Sequence, residues 1–354
     1  MAYLDVLSPG FFSSVQDNGR VGMKSIGISS GGVLDIESYS LSNLILGNSK
    51  NDACVEIIGG GFEVVFSEST FFCITGAVGK NYLNESSILL NAPYYASSGS
   101  KLNISIFDSG WIGYLNILGG VKTKKILGSR SVYINSEIFG KKIEKFEKIN
   151  YQVQNYFPQP KIYKIKKKYS NLSSNQDIIP IRVLESAQFN NFSEVYKQVF
   201  FNSTFTISQQ YNRQGMRLLG PSIEAKKNNH DVISDYVNKG SIQIPGDKLP
   251  IILLSDSQTT GGYPKIANVI SVDFSKLVQL RPGSKIKFVL VTIDDAQKAY
   301  KKNIKYMQQS MEEETLNTFT CKVNGSNIDL KYHFDGNISL IGIDGRLMPL
   351  DFIK

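Results

Sequence analysis

Histidine and cysteine are scarce in this sequence, tryptophan occurs once, and each scarcity removes a class of chemistry. Two histidines (His230, His333) and three cysteines (Cys54, Cys73, Cys321) are scattered over 354 residues without any Cys-x-x-Cys spacing. Neither a structural zinc site nor a disulfide framework is expected from such a set, and no metal ligands are assigned. Familiar catalytic signatures are missing too. GAVGKN (76–81) has Gly-Lys without the glycine spacing of a phosphate-binding loop or a Ser/Thr after Lys80. FDSGW (107–111) lacks the glycines that flank a hydrolase serine. The adjacency of His230 and Asp231 does not make them a catalytic pair. Met23-Lys24 lacks the second methionine that accompanies a biotinylated lysine, so no prosthetic group of the chain's own is expected. No apolar run approaches the length of a membrane span, and MAYLDVLSPG has neither the basic nor the apolar region of a leader. A reducing, cytoplasmic location and no membrane partner are expected.

The balance of the composition is that of a globular chain long enough for two cores. Its net charge of +8 could point to an anionic partner. Much of the excess, however, sits at Lys161, Lys164, Lys166, Lys167 and Lys168, where a solvated linker face is expected. Nucleic acid is not an expected partner.

What the sequence does contain is a repeat. SSVQDNGRVGMKSIG (13–27) and TISQQYNRQGMRLLG (206–220) share Gln16/Gln209, Arg20/Arg213, Gly22/Gly215, Met23/Met216 and Gly27/Gly220, at the offset 209 − 16 = 193. VEI (55–57) matches IQI (242–244) at 242 − 55 = 187, and GSKLNISI (99–106) matches GSKIKFVL (283–290) at 283 − 99 = 184. Ordered, slowly drifting offsets indicate two related domains.

Between the glycines lie β-branched and aromatic runs such as FEVVF (62–66), TFFCITG (70–76), KLNISIF (101–107) and PIILLS (250–255). This pattern predicts a mainly β chain of barrels or sandwiches with few helices. Helices are expected after Asp35, with Leu41, Leu44 and Ile45 as the apolar stripe and Gly47 as the stop, over about 186–199, and over 294–314. The domains are expected at 1–140 and 179–295, joined by a basic linker at 141–178 with Pro158 and Pro160. A C-terminal helix and hairpin-like extension would fill 296–354, with turns at Asn324-Gly325 and Asp335-Gly336.

The repeated loop places an arginine beside a turn. Glycine or asparagine there permits a left-handed residue, so amides and a guanidinium can converge on one point. Arg20 and Arg213 are therefore candidate catalytic groups, with Gln16, Asp17, Gly22, Asn212 and Gly215 as binding residues around them, since a planar fork of donors suits a carboxylate, carbamate or phosphate. The competing reading is a structural turn whose arginine pairs with a core carboxylate. DSQTTGGYP (256–264) follows an apolar strand with hydroxyls and free amides suited to small anions, which makes Gln258, Thr259, Thr260, Gly261, Gly262 and Tyr263 candidate ligand-binding residues.

Together, SVQDNGRVGMKSIGISSGGVLD (14–35), LSNLILGN (41–48), TGA (75–77), GGVKTKKILGSRS (119–131), NRQGMRLLG (212–220), GSIQIPGD (240–247) and DSQTTGGYPKIANVIS (256–271) resemble the hallmark segments of the urea amidolyase/allophanate hydrolase subunit 2 family. The resemblance spans about 3–295. It implies cyclophilin-like β-barrel subdomains and the C component of an ATP-dependent 5-oxoprolinase. It also implies ATP, with Mg2+, as cofactor, a related cyclophilin-like partner of the B type and a lactam-hydrolase-like partner of the A type. Alternatives within the same family are a urea amidolyase-like carboxyltransferase component, needing biotin carried by a partner, and a non-enzymatic regulator that binds a kinase-inhibitor subunit. Two positions depart from the family pattern: Ile112 in GWIGY (110–114) stands where an arginine is usual, and Val132 stands where threonine is common.

Overall fold

The computed structural model describes residues 1–154, 177–226, 232–309, 317–323, 326–334, 339–343 and 346–350. The linker lysines, Pro158 and Pro160, the His230-Asp231 pair and the turn pairs Asn324-Gly325 and Asp335-Gly336 lie outside the described residues. The chain divides into two compact units, Met1–Asp17 with Ile36–Ser170 and Gln309–Lys354, and Asn18–Asp35 with Asn171–Gln308. The segment Asn18–Asp35, contiguous with the first copy in sequence, thus belongs structurally to the second.

Alternation of apolar and polar residues builds the first unit. In Phe62–Phe66, Phe62, Val64 and Phe66 are buried while Glu63 and Val65 are partly exposed, the period expected of a strand with one face on a core. That strand lies in a six-stranded antiparallel sheet, ordered Lys148–Tyr151, Ala2–Pro9, Phe62–Phe66, Lys101–Ile104, Asn81–Leu83, Ser86–Ile88. A five-stranded sheet is ordered Phe12–Gln16, Cys54–Ile58, Ser109–Ile117, Thr70–Val78, Pro93–Ala96. Leu4, Val6, Phe62 and Leu102 from the first sheet share one core with Ile57, Phe72, Ile74 and Leu115 from the second. Lys148–Tyr151 lies within the stretch read as linker, yet it pairs with Ala2–Asp5 as an edge strand.

Helix α1 (Ile36–Ile45) forms where its sequence pattern predicted it, and Gly47 follows with a φ of +67°. Its stripe differs by one residue: Leu41 and Ile45 pack with Phe71, Cys73 and Leu118, whereas Leu44 is exposed. A helix presents only one stripe to the sheet, and residue 44 falls outside it.

The second unit is a closed barrel, ordered Ile178–Glu185, Lys265–Val269, Ser241–Gln243, Ile251–Leu253, Gly215–Leu219, Phe205–Tyr211, Lys285–Leu290. Ile178–Glu185 and Lys285–Leu290 close it as a parallel pair. Helix α2 (Glu194–Asn202) starts later than expected because Ser193 Oγ caps it by accepting from Tyr196 N, after a 3-10 turn at Phe189–Asn191. Its Phe200 stacks on Phe288 with ring centroids 4.5 Å apart. Helix α3 (Ser271–Val278) was not legible in advance; its two turns hold because Phe274, Leu277 and Val278 are buried. Helix α4 (Ile293–Gln309) is polar, as expected. The tail is more than a hairpin: Asn317–Val323, Ser326–Phe334, Ser339–Ile343 and Arg346–Leu350 pair in sequence order as an antiparallel sheet.

Candidate functional site

In the first unit, Gln16 ends the strand Phe12–Gln16 and is fully buried. Its Nε2 donates to Ser14 Oγ (2.9 Å) and to the carbonyl of Val132 (3.2 Å). Asp17 follows, and its carboxylate accepts from Ser129 Oγ (2.5 Å), Ser131 Oγ (2.6 Å) and the amide of Arg130 (2.7 Å). The GSRS motif therefore wraps the Asp17 carboxylate, which joins two of the segments that carried the family resemblance. Charge-assisted bonds of this kind are among the stronger ones available to a protein. Burial, with Cys54 and Asp17 nearby, raises the phenol of Tyr39 well above its ordinary value and keeps it protonated. Ile112 is fully buried and pairs across the sheet with Ile58, so an apolar side chain suits this position.

In the second unit, Arg213 sits at the tip of the hairpin formed by Phe205–Tyr211 and Gly215–Leu219. Its side chain is 1% exposed. Nε donates to Asp256 Oδ2 and Nη2 to Asp256 Oδ1, both at 3.0 Å, and Nη2 also donates to the carbonyl of Gly32 at 2.6 Å. Its fork is occupied by a buried carboxylate, and it fastens the segment Asn18–Asp35 through Gly32. Further bonds hold that segment. Ser255 Oγ and Lys239 Nζ donate to Val33 O, each at 3.1 Å, and Gln279 Nε2 donates to Asp35 Oδ2 at 2.8 Å. Arg20, the counterpart of Arg213, is 2% exposed and likewise does not offer its guanidinium to solvent.

The turns around the two arginines use different means. Gly19 is left-handed (φ +82°), and a Cβ there would meet Ser30 O at 2.5 Å, so glycine is required. Asn212 was expected to provide the same left-handed backbone but is not among the positive-φ residues. Instead its Oδ1 accepts from the amides of Gln214 (2.8 Å) and Gly215 (3.2 Å), closing the turn with a side chain. Gly215 is not left-handed; a Cβ there would meet Ile251 Cγ2 at 3.1 Å. Gly22 (φ +83°) and Gly27 (φ +80°) bracket the 3-10 turn Met23–Ile26; Ile26 on it and Val21 just before it are exposed.

The QTTGG loop is a strand segment rather than a free anion nest. Thr260 and Gly261 pair with Tyr236 and Asp235, Val237 N donates to Thr259 O at 3.1 Å, and Val232 N donates to Gly262 O at 2.9 Å. Gln258, Thr260 and Tyr263 are exposed, and Thr259 is half-buried. Neither glycine is left-handed. A Cβ on Gly261 would stand 2.4 Å from Gln243 Nε2, so that side-chain end would have to move, whereas at Gly262 the nearest neighbour of a Cβ is Val232 O at 3.5 Å. Residue 262 therefore has room for a side chain.

Three residues that reasoning from sequence did not assign stand beside these loops. Asp256 holds Arg213. Lys24 Nζ donates to Val237 O at 3.1 Å and lies 5.5 Å from the centre of the Tyr236 ring, and burial lowers the pKa of its ammonium. Gln243, 2% exposed, lies under the loop, with its Oε1 accepting from Gln258 Nε2 at 3.4 Å. A signal for Gln243 existed: the matched triplets VEI and IQI both place a polar residue between two apolar ones in a buried strand.

Residues 26–290 match the carboxyltransferase domain, subdomain A and B, family. The chain is 32% identical over 313 residues to the C subunit of 5-oxoprolinase from Haemophilus influenzae, covering 86% of this chain and 97% of that protein. With the C subunit of 5-oxoprolinase from Escherichia coli the identity is 28% over 309 residues, at the same coverage of 86% and 97%. It is 28% identical over 338 residues to the urea amidolyase of Lachancea kluyveri, covering 89% of this chain but 18% of that protein. Among solved structures, the Kluyveromyces lactis urea carboxylase superposes with a TM-score of 0.79 at 25% identity, over 96% of this chain and 33% of that one. The chain belongs to the carboxyltransferase domain, subdomain A and B, family, and its likeness to the 5-oxoprolinase C subunits runs nearly end to end in those relatives.

Proposed function

We propose that this chain is the C-type component of a cytoplasmic 5-oxoprolinase, which opens 5-oxoproline to glutamate with ATP and Mg2+ together with a cyclophilin-like and a lactam-hydrolase-like partner. The observation that carries this reading is coverage. The chain spans 97% of the Haemophilus influenzae 5-oxoprolinase C subunit and 18% of the Lachancea kluyveri urea amidolyase. In the reaction, water adds its oxygen to the lactam carbonyl carbon, the ring C–N bond breaks, and the nitrogen takes up a proton to leave as the amino group of glutamate. ATP, hydrolysed to ADP and phosphate, supplies the driving force. Oxygen charge develops as the carbonyl is attacked, and fixed donors lower the barrier where they face it. Arg213 contributes indirectly by fixing the segment Asn18–Asp35 beside the QTTGG loop.

The test is reconstitution. The purified chain alone is expected to be folded and inactive, and co-expression with both partners is expected to give glutamate and ADP from 5-oxoproline and ATP. Robust turnover by the chain alone would defeat the claim that partners are required. The second reading, a carboxyltransferase component acting with a biotin-bearing partner, is supported by the TM-score of 0.79 with Kluyveromyces lactis urea carboxylase. Carboxyl transfer from carboxybiotin without glutamate release would decide for it.

A further inference from the structure

Helix α4 is amphipathic, yet its apolar stripe is left uncovered. Thr292 and Asp295 start the helix with a reciprocal cap, Thr292 Oγ1 donating to Asp295 Oδ2 at 2.7 Å and accepting from Asp295 N at 3.1 Å. Ile293, Gln297, Tyr300 and Ile304 follow one another at steps of four, three and four, so they share one stripe. Ile293 is 65% exposed, Tyr300 51% and Ile304 41%. Ala296, Ala299 and Asn303, on the neighbouring face, are half-buried. A surface helix ordinarily buries such a stripe against a core, but from Ile293 to Lys305 no residue of α4 is fully buried.

The charges beside the stripe repeat its spacing one residue later: Asp294, Lys298, Lys301 and Lys305. Among the described residues Asp294, Lys301 and Lys305 form no ion pair. An acid at the start and lysines further on suit the dipole of a lone helix, but the dipole gives no reason for the exposed stripe. Self-association accounts for both. Two copies of α4 laid antiparallel about a two-fold axis bring the same flank of each helix together. With Ile293 opposite Ile304 of the second copy, Asp294 falls between Lys301 and Lys305 of the second copy, and the symmetry repeats the match. We propose that the exposed face of α4 docks antiparallel on the same face of a second copy of this chain. A parallel pair would set the charged flank against the flank of Ala296, Ala299 and Asn303, where no charge answers it. A lipid surface fits less well, because the stripe has no Trp, Phe or Leu and its flank begins with an aspartate. Three large side chains make a small contact, so the dimer is weak and depends on concentration.

Sedimentation velocity of the full-length chain over a range of concentrations tests the contact, with far-UV circular dichroism and thermal melting to show that each variant stays folded. The wild type is expected to pass from monomer to dimer as concentration rises, and Ile304→Asp to remain monomeric with an unchanged melt. Asp294→Lys alone, and Lys301→Glu with Lys305→Glu, are each expected to weaken the dimer roughly tenfold, because symmetry doubles every charge that is reversed. All three changes together should restore the wild-type dissociation constant to within about threefold, since the attractive order of charges returns. Lys298 lies beside its own copy at the axis, so Lys298→Gln should tighten the dimer. A wild-type chain that is monomeric throughout, a dimer indifferent to Ile304→Asp, a triple variant as weak as its parts or a weaker Lys298→Gln dimer overturns the proposal. So does a chain that stays monomeric and uses the same stripe to bind phosphatidylserine vesicles or added partner subunits.

Discussion

The two copies of the Gln-to-Gly loop began from one pattern and meet their polar requirements differently. Arg20 and Arg213 are both buried, so burial of the guanidinium is the feature the two copies share. Around it nearly everything differs. Gln16 is fully buried and its counterpart Gln209 is exposed; Asp17 is clasped by Ser129, Arg130 and Ser131, while its counterpart Gln210 is exposed. Gly19 turns through its backbone and Asn212 through its side chain. Glu56 is met by a tyrosine, whereas Gln243 Nε2 lacks a partner among the described residues. A duplicated loop thus keeps a buried arginine at its turn while the groups around it diverge, and in the second copy that arginine holds the buried carboxylate of Asp256.

That contrast breaks most visibly at the Arg213–Asp256 pair. Removing either partner strands a charge in the interior, so Asp256→Ala and Arg213→Ala are each expected to cost about 3–5 kcal/mol. Arg213→Met combined with Asp256→Leu should cost less than either single change. Urea unfolding of all variants measures this. An Arg213→Ala protein that melts like wild type yet loses turnover would return Arg213 to the catalytic role first expected for it.

Next in size is Asp17→Asn, which keeps the shape but removes the charge from three hydrogen bonds and is expected to cost about 2 kcal/mol. The matching change in the second copy, Gln210→Ala, lies on an exposed side chain and should stay within about 0.5 kcal/mol. Equal losses at both positions would mean that the copies are not specialised as described.

Exchanging the turn residues gives a smaller but asymmetric effect. Gly19→Asn forces a side chain into a left-handed position against Ser30 O and is expected to destabilise by about 1–3 kcal/mol. Asn212→Gly loses only two side-chain bonds at an exposed turn, about 1 kcal/mol or less. Thermal melting of the pair decides it, and symmetric losses would show that the two turns are interchangeable.

Least of all should be felt at Gly262. With no left-handed backbone and no neighbour closer than 3.5 Å, Gly262→Ala is expected to change stability by under about 0.5 kcal/mol. Gly261→Ala, by contrast, must displace Gln243 Nε2 and is expected to cost about 1 kcal/mol or more. Indistinguishable melting curves for the two variants would remove Gly261 from the site.

Much of the fold was readable because it follows local periodicity. Strand Phe62–Phe66 and helix α1 announce themselves through spacings of two and of three to four residues. Helix α3 did not, since eight residues carry too little periodic signal and its stability comes from burying Phe274 and Leu277. The same division holds at the candidate site. The motifs containing Gln16, Asp17, Arg213 and Gln258 were visible as strings, and the structure joins Asp17 to GSRS and Arg213 to the first residue of DSQTTGG. Nothing in the strings said that Asp256 occupies the Arg213 fork or that Lys24 stands by Tyr236, because those pairings join residues 43 and about 210 positions apart.

By itself the sequence determined the mainly β character, the duplication and the positions where polar groups interrupt apolar strands, since each depends on the order of neighbours along the chain. Only the tertiary structure decided that Asn18–Asp35 belongs with the second unit, that the repeated arginines face inward and that Gln243 lies against Gly261. These depend on which distant segments supply acceptors, and a guanidinium whose fork is already filled by a buried carboxylate has no remaining reason to seek one on a substrate.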